Sequence, residues 1–291
     1  MQKSELVIRG RNLSSDDFQF IKATINLHWE KGRSHISRVL CDQWDWRQPN
    51  GRLKDRGCRV LLLQLEQHDL ITLPPRKNEK NNFNKLVFED IPDFSTTPLI
   101  GKVGNYRSLK IEMVRRTDKE KLWDYLVHKH HYLGNPGIVG SYLKYIVYLD
   151  DQIVACLGWG APAWRVAVRE QFIGWDDVQK RKQLHLIINN VRFLILPWIQ
   201  VKYLASRILA TNIKMLPSDW HAFYGHRIVL LETFVDISRF NATCYRASNW
   251  IHVGHTKGTA KCGNSHFYHG KTKAVYLYPL TKDFKEQLTN E

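Results

Sequence analysis

The chain has 291 residues, of which 43% are hydrophobic and 12% aromatic, a composition that excludes a disordered chain and predicts packed cores. The formal net charge of +15 predicts a polyanionic partner, most commonly nucleic acid. Apolar runs too short to span a bilayer, a polar N-terminus without a signal peptide and five scattered cysteines together predict a cytoplasmic protein with free thiols and no membrane partner.

The first 75 residues have the pattern of a winged helix-turn-helix. The spacing of apolar residues predicts helices over 14–32, 33–44 and 53–68. A short strand over 70–73, ended by Pro74 and Pro75, would supply the wing. We therefore expect a DNA-binding domain over residues 1–75. The alternative is a helical oligomerisation domain with a basic, solvated face.

Basic residues cluster where a recognition helix would begin. Four of them are found near the start of the third predicted helix, Arg52, Lys54, Arg56 and Arg59, and two more follow the wing, Arg76 and Lys77. Recognition helices place such side chains against phosphates and base edges. These six residues are the predicted DNA contacts of the N-terminal domain.

After a polar segment over 76–108, which lacks periodicity and is predicted to be a linker, the pattern becomes that of an α/β domain over 109–291. The predicted strands cover 110–115, 142–149, 152–158, 184–196, 228–235, 251–254 and 273–280, and the predicted helices cover 118–131, 201–215 and 242–248. Asp150 and Asp151 form a two-residue turn that predicts an antiparallel hairpin. The fold class expected is α/β (α+β), with a central mixed sheet.

Tyr245, in the short predicted helix 242–248, is a candidate catalytic residue. In a protein that acts on DNA, a tyrosine hydroxyl can attack a phosphodiester and form a phosphotyrosyl link. The alternative is a tyrosine packed under the short helix, with its hydroxyl bonded to the backbone.

Two carboxylates, Glu232 and Asp236, are predicted to lie at the end of a strand. Positions 232, 234 and 236 of a strand share one face. Two carboxylates on one face can hold Mg²⁺ against a scissile phosphate or act as a general base, so Mg²⁺ is the candidate cofactor. The alternative is a salt bridge to a lysine or arginine. His131 could complete the cluster, although a histidine that caps a loop is the more common arrangement.

Further basic residues of the second domain are candidate DNA ligands. Arg192, on a predicted central strand, could bind a phosphate or orient Glu232; an ordinary core ion pair is the alternative. Lys257 and Lys261 belong to a stretch rich in glycine and lysine, with aromatic residues interleaved, that could follow a nucleic-acid backbone. A flexible surface loop is equally compatible with that stretch.

Several motifs give the chain a family resemblance. They are His131-Tyr132-Leu133-Gly134, Phe172-Ile173-Gly174-Trp175, Asn190-x-Arg192-Phe193-Leu194, Glu232-Thr-Phe-Val-Asp236 and Thr243-Cys244-Tyr245-Arg246. On these motifs the chain resembles the DruA family, named for a component of the Druantia anti-phage systems and also met beside transposases. The resemblance implies a DNA-binding and DNA-processing protein that cleaves or transfers strands in anti-phage defence or transposition, with other defence or mobile-element proteins as partners. A non-catalytic DNA-binding subunit that recruits partners is the alternative, and a homodimer is left open.

The order of predicted elements in the second domain resembles a GNAT acetyltransferase, and Tyr245 matches the tyrosine that those enzymes use as a general acid. The resemblance implies a third function, acyl-CoA-dependent N-acetyl transfer. GNAT enzymes hold the pyrophosphate of the acyl-CoA on backbone amides of a glycine-containing loop at a helix start. The matching segment, 196–206, contains no glycine and one proline. We therefore do not expect acetyl-CoA to bind.

Overall fold

The computed structural model describes residues 6–8, 11–48, 51–76, 88, 90–262, 265–268 and 270–290. The chain divides into two compact units, Met1–Val87 and Phe88–Glu291. Among the described residues, no helix combines the length and the apolarity that a membrane span requires.

The N-terminal unit consists of a short hairpin followed by three helices. Its elements are β1 (Leu6–Ile8), β2 (Arg11–Leu13), α1 (Ser15–Leu27), α2 (Arg33–Gln43) and α3 (Asp55–Gln67). Ser14 and Asp17 form a capping box at the start of α1, which satisfies amides that the helix itself cannot pair. The apolar faces of the helices meet in one core, with Ile36, Leu40 and Leu61 fully buried. The three predicted helices are therefore confirmed, with shorter bounds.

The predicted strand over 70–73 is wrong. Ile71 and Leu73 are buried, as a strand pattern requires, but the segment has no regular structure. Its polar groups bond elsewhere, since the Leu73 amide donates to Glu66 Oε1 at 3.1 Å and Arg33 Nε donates to the Pro74 carbonyl at 2.6 Å. Proline has no amide to donate to a neighbouring strand. The wing that this strand would have supplied is therefore absent from residues 70–76, and the winged helix-turn-helix stays a prediction.

The C-terminal unit is built on a mixed sheet of seven strands. The described strands of the whole unit, inside and outside this sheet, are β3 (Leu99–Lys102), β4 (Leu109–Met113), β5 (Tyr142–Leu149), β6 (Gln152–Gly160), β7 (Ile187–Ile195), β8 (Ile199–Lys202), β9 (Leu230–Val235), β10 (Ile251–His255), β11 (Thr259–Cys262), β12 (Ser265–Tyr268) and β13 (Ala274–Pro279). The large sheet has the order β10-β13-β9-β7-β6-β5-β4. Only β7 and β9 pair in parallel within it.

Helices cover both faces of this sheet. They are α4 (Glu120–His130), α5 (Ala167–Ile173), α6 (Asp177–Gln183), α7 (Leu204–Tyr224), α8 (Thr243–Ala247) and α9 (Phe284–Thr289). One face packs against α4, α7 and α8 through a core that includes Trp123 and Ile208. The other packs against α5 and α9 through a core that includes Ile173 and Leu288. The mixed α/β architecture predicted from the sequence is confirmed.

The segment predicted to be a linker contributes to this unit. Phe94 and Tyr106 pack against its core, and β3 pairs in parallel with β8, Leu99 opposite Ile199. Residues 90–108 are therefore part of the folded C-terminal unit rather than a spacer. Of the predicted linker, residues 77–87 and 89 lie outside the described residues.

Candidate functional site

The centre of the large sheet contains a fork between its two parallel strands. The pairing of β7 with β9 extends from Ile187 and Leu230 to Asn189 and Glu232 and then stops, although both strands continue. Because the strands part while each keeps another neighbour, a gap opens between them. A cavity of about 550 Å³ occupies this gap, and its wall includes residues from β7, β9, α8 and the loop after α4.

A hydrogen-bond network bridges the two strands at the fork. The Tyr245 hydroxyl donates to Asn190 Oδ1 at 2.8 Å, and Thr233 Oγ1 donates to the Asn190 carbonyl at 3.2 Å. Tyr245 is 7% exposed, and its burial raises the pKa of the phenol. The alternative interpretation of Tyr245, a packed tyrosine with a bonded hydroxyl, describes this geometry, except that the acceptor is a side-chain amide.

Arg192 and His131 stand together in the cavity wall. Arg192 Nε donates to the Gly134 carbonyl at 3.2 Å, and Nη1 donates to the Val191 carbonyl at 2.6 Å. Among the described residues, no carboxylate lies within ion-pair distance of this guanidinium. Burial, and secondarily the charge of Arg192, lowers the pKa of His131 to about 4, so the imidazole is neutral at pH 7. His131 Nδ1 accepts the Leu133 amide at 3.2 Å, which assigns the ring proton to Nε2.

The mouth of the cavity carries further charges. Burial raises the pKa of Tyr132, and the nearby Asp236 carboxylate adds to that effect. Asp236 accepts the Ser238 hydroxyl and amide at 2.6 and 3.1 Å, and these bonds lower its pKa, with help from Lys273. The Arg239 guanidinium lies 4.8 Å from the centre of the Tyr132 ring. Arg192, Lys273 and Arg239 outnumber the single carboxylate, so the site favours an anion.

Glu232 does not join this site, contrary to the sequence-based prediction. It pairs directly with Leu277 of β13 and shares the sheet face covered by α5, whereas its neighbour Thr233 faces Tyr245. Glu232 Oε2 accepts Arg169 Nη1 at 2.7 Å, and both side chains are fully buried. The predicted alternative, an ion pair, is the one that the structure contains.

The residues present do not fit the predicted magnesium site. Glu232 points away from the cavity toward Arg169, while Asp236 is at the cavity mouth, bonded to Ser238. Within the described residues no group of three or more His, Cys, Asp or Glu side chains could hold a metal ion. We therefore derive no step that passes through Mg²⁺.

The other predicted DNA ligands are dispersed. Arg52, Lys54, Arg56 and Arg76 of the N-terminal unit are exposed, as is Lys257 of the C-terminal unit. Arg59 is partly buried and pairs with Asp55 at 3.1 Å. Lys77 lies outside the described residues, and so does the side chain of Lys261. Of the predicted DNA ligands whose side chains the structure describes, only Arg192 lines the cavity.

Three residues that matter to the site were not singled out as site residues from the sequence. Tyr132 lines the cavity, Arg239 contacts Tyr132, and Arg169 neutralises Glu232. The signal for Tyr132 was its place in the motif after His131, and for Arg239 its place beside Phe240, a basic and aromatic pair directly after Asp236. Arg169 gives no such signal, because its burial depends on the tertiary fold.

Segment 196–206 has no glycine at the place where GNAT enzymes have their anion-binding loop. In the structure it contains β8 and the start of α7. Strand β8 is paired with β3, and the chain enters α7 at Tyr203, whose φ of +66° is in the left-handed region. Tyr203 is exposed.

The fold and site together define a mixed α/β protein with a basic, tyrosine-containing cavity between two diverging parallel strands. The chain belongs to the family described as Druantia protein DruA, whose model matches residues 64–267. A comparison with curated protein sequences found no match.

Solved structures similar to this chain include GNAT acetyltransferases. One, the GNAT-family acetyltransferase of Streptococcus pneumoniae, is 14% identical, and the match covers 60% of this chain and 100% of that one at a TM-score of 0.38. The ribosomal-protein-S5-alanine acetyltransferase of Vibrio fischeri is 8% identical over 60% of this chain and 94% of its own, also at 0.38. Similarity of this degree gives no information about activity.

Proposed function

We propose that this protein binds DNA, that a phosphate of the DNA is held in the cavity between β7 and β9, and that the binding serves anti-phage defence. The observation that carries the proposal is Arg192, a partly buried guanidinium in the cavity wall with backbone carbonyls as its hydrogen-bond acceptors. A buried cation without a counter-ion is costly unless a ligand supplies the negative charge.

The neighbours of Arg192 are suited to an anion. His131 is neutral with its proton on Nε2, so it can donate a hydrogen bond to a phosphate oxygen. Lys273 lines the same cavity and adds a second full charge. One planar guanidinium group can donate two parallel hydrogen bonds to two oxygens of a phosphate. This bidentate geometry adds selectivity to the electrostatic attraction.

A polymer is favoured over a small anion by the charge of the whole chain. A net charge of +15 is far more than one phosphate would neutralise. Charge of this size attracts an extended polyanion. The N-terminal unit also carries exposed basic side chains near the start of α3, among them Lys54 and Arg56. Membership of the Druantia protein DruA family supports the biological role.

Strand cleavage by a tyrosine is compatible with this site only at Tyr132. Tyr245 is buried with its hydroxyl committed to Asn190, so a phosphodiester could reach it only after the network at the fork opened. Tyr132 is partly exposed at the cavity and has two guanidinium groups nearby to neutralise a phosphorane.

The test is fluorescence anisotropy with labelled DNA, for the wild type, Arg192→Ala and a matched control, Arg181→Ala. Arg181 is exposed on α6 and does not line the cavity, so its loss removes the same charge from elsewhere. We expect Arg192→Ala to weaken binding at least about tenfold, as loss of a buried charge-assisted contact does, and Arg181→Ala to have a small effect.

Circular dichroism of each variant would establish that it is folded before its affinity is compared. Equal losses for the two variants would overturn the assignment of the phosphate to the cavity. Absence of DNA binding by the wild type, together with saturable binding of acetyl-CoA, would overturn the proposed function in favour of acyl transfer.

A further inference from the structure

Three aromatic or apolar side chains and one arginine surround the mouth of the basic cavity. We call them the rim; they are Tyr132, Leu133, Phe240 and Arg239. Leu133 is 45% exposed and Phe240 47% exposed. The centre of the Phe240 ring is 5.4 Å from that of Tyr132, with the two planes inclined at 59°. Soluble proteins seldom leave large apolar side chains together at the surface unless a ligand covers them.

The rim has the composition of a site that stacks nucleobases. Phe240 presents an exposed ring, and the Tyr132 ring beside it has the Arg239 guanidinium and the His131 ring each 4.8 Å from its centre. Aromatic rings beside arginines are the common means of binding unpaired bases, because every base has a π-face and every nucleotide a phosphate. A docking surface for the apolar groups of another protein would not need the three cations Arg192, Lys273 and Arg239.

The cavity behind the rim has room for a base. Its volume of about 550 Å³ lies in the range of small-molecule pockets.

We propose that this cavity takes an unpaired nucleobase, which stacks on Phe240 while Arg192 and Lys273 hold the adjoining phosphate, so that the protein selects single-stranded DNA. The inference rests on the proposed function, since it names the form of DNA that the site would take. In a duplex the base faces are covered by their neighbours, so the rim could not reach them.

Three probes of about 20 nucleotides separate the base from the phosphate: a single strand, the same sequence as a duplex, and a single strand in which every position is abasic. Anisotropy is measured at one salt concentration for the wild type, Phe240→Ala and Ile237→Ala. Ile237 is 49% exposed, lies three residues from Phe240 and does not line the cavity, so it is the matched control for loss of an exposed apolar side chain.

We expect the wild type to bind the single strand at least about tenfold more tightly than the duplex or the abasic strand, since stacking is lost in both. Phe240→Ala should lose about 5-fold to 150-fold in affinity for the single strand and little for the other two probes, while Ile237→Ala should resemble the wild type.

Equal binding of all three probes, or equal effects of the two substitutions, would overturn the inference while leaving DNA binding intact. Binding of the duplex alone would do the same. Failure of the wild type to bind any probe would overturn the proposed function and this inference together.

Discussion

The hydroxyl of Tyr245 lies 2.8 Å from Asn190 Oδ1, across the gap where β7 and β9 part. Strand pairing has ended one residue earlier, so this side-chain bond replaces the backbone bonds that would otherwise join the strands. Thr233, on β9, extends the same network to the Asn190 carbonyl. The network closes the inner end of the cavity and keeps the strands at a fixed separation there.

Tyr245→Phe should lower the free energy of unfolding by about 1 kcal/mol, because the substitution removes one buried hydrogen bond and leaves Asn190 Oδ1 without that donor. DNA affinity should change little, since Tyr245 supports the cavity without supplying charge to it. Urea unfolding followed by circular dichroism measures the first effect. Tyr203→Phe, at a tyrosine that is 69% exposed, is the control and should not be destabilised. A loss of affinity without a loss of stability would contradict this structural role.

Local signals were sufficient to predict much of the fold. The turn at Asp150 and Asp151 specifies the hairpin of β5 and β6, and both residues have positive φ, +46° and +68°, as a two-residue hairpin turn requires. An apolar run located β9, and helical spacing located α1 to α4. These features depend on residues close together in the chain, which is why a single sequence reveals them.

Features that depend on distant residues were not predictable in this way. The two-residue period of a strand correctly gives Glu232 and Thr233 opposite faces, but it cannot say which face borders the cavity. The partner of Glu232, Arg169, is 63 residues away in the chain. Residues 90–108 looked like a linker because β3 pairs with β8, about a hundred residues later, and a short edge pair of this kind leaves little periodicity.

Glu232→Leu should lower the free energy of unfolding by about 3–5 kcal/mol, because the fully buried Arg169 would lose its close partner and keep only Glu170, at 3.7 Å, as a counter-ion. The Glu232 side chain also accepts the Ala163 amide at 3.0 Å, so the loop before α5 would lose an anchor. Guanidinium unfolding of the purified variant measures the loss. Joint replacement, Arg169→Met with Glu232→Leu, should recover most of it, since no charge is then left unpaired.

The control for that ion pair is an exposed one. Lys119 and Glu112 lie 2.8 Å apart at the surface, and Glu112→Gln should cost no more than about 1 kcal/mol. If the double variant were as unstable as Glu232→Leu alone, the loss would come from packing rather than from the unpaired charge.

His131 should make the protein less stable in acid. Its pKa in the folded protein is about 4, against an ordinary value of 6.5, so between these values the unfolded chain binds a proton that the folded chain does not. The contribution of neutral His131 is therefore complete above pH 6.5 and is lost as the pH falls toward 4. The urea concentration at the midpoint of unfolding should change less between pH 7 and pH 5 for His131→Asn than for the wild type. His221→Asn, at an exposed histidine, should keep the full difference.

Lys273 should contribute to the salt dependence of DNA binding. Its backbone amide donates to Thr256 Oγ1, while its side chain lines the cavity, so Lys273→Gln removes a charge without disturbing that bond. Each phosphate neutralised on a single strand adds about 0.7 to the steepness of log affinity against log salt. We therefore expect anisotropy titrations of Lys273→Gln between about 50 and 200 mM salt to give a slope shallower by about 0.7 than that of the wild type. Lys282→Gln, at an exposed lysine outside the cavity, should keep the wild-type slope. Identical slopes for the wild type and Lys273→Gln would show that the phosphate does not meet Lys273, and the cavity would then have to bind it through Arg192 alone.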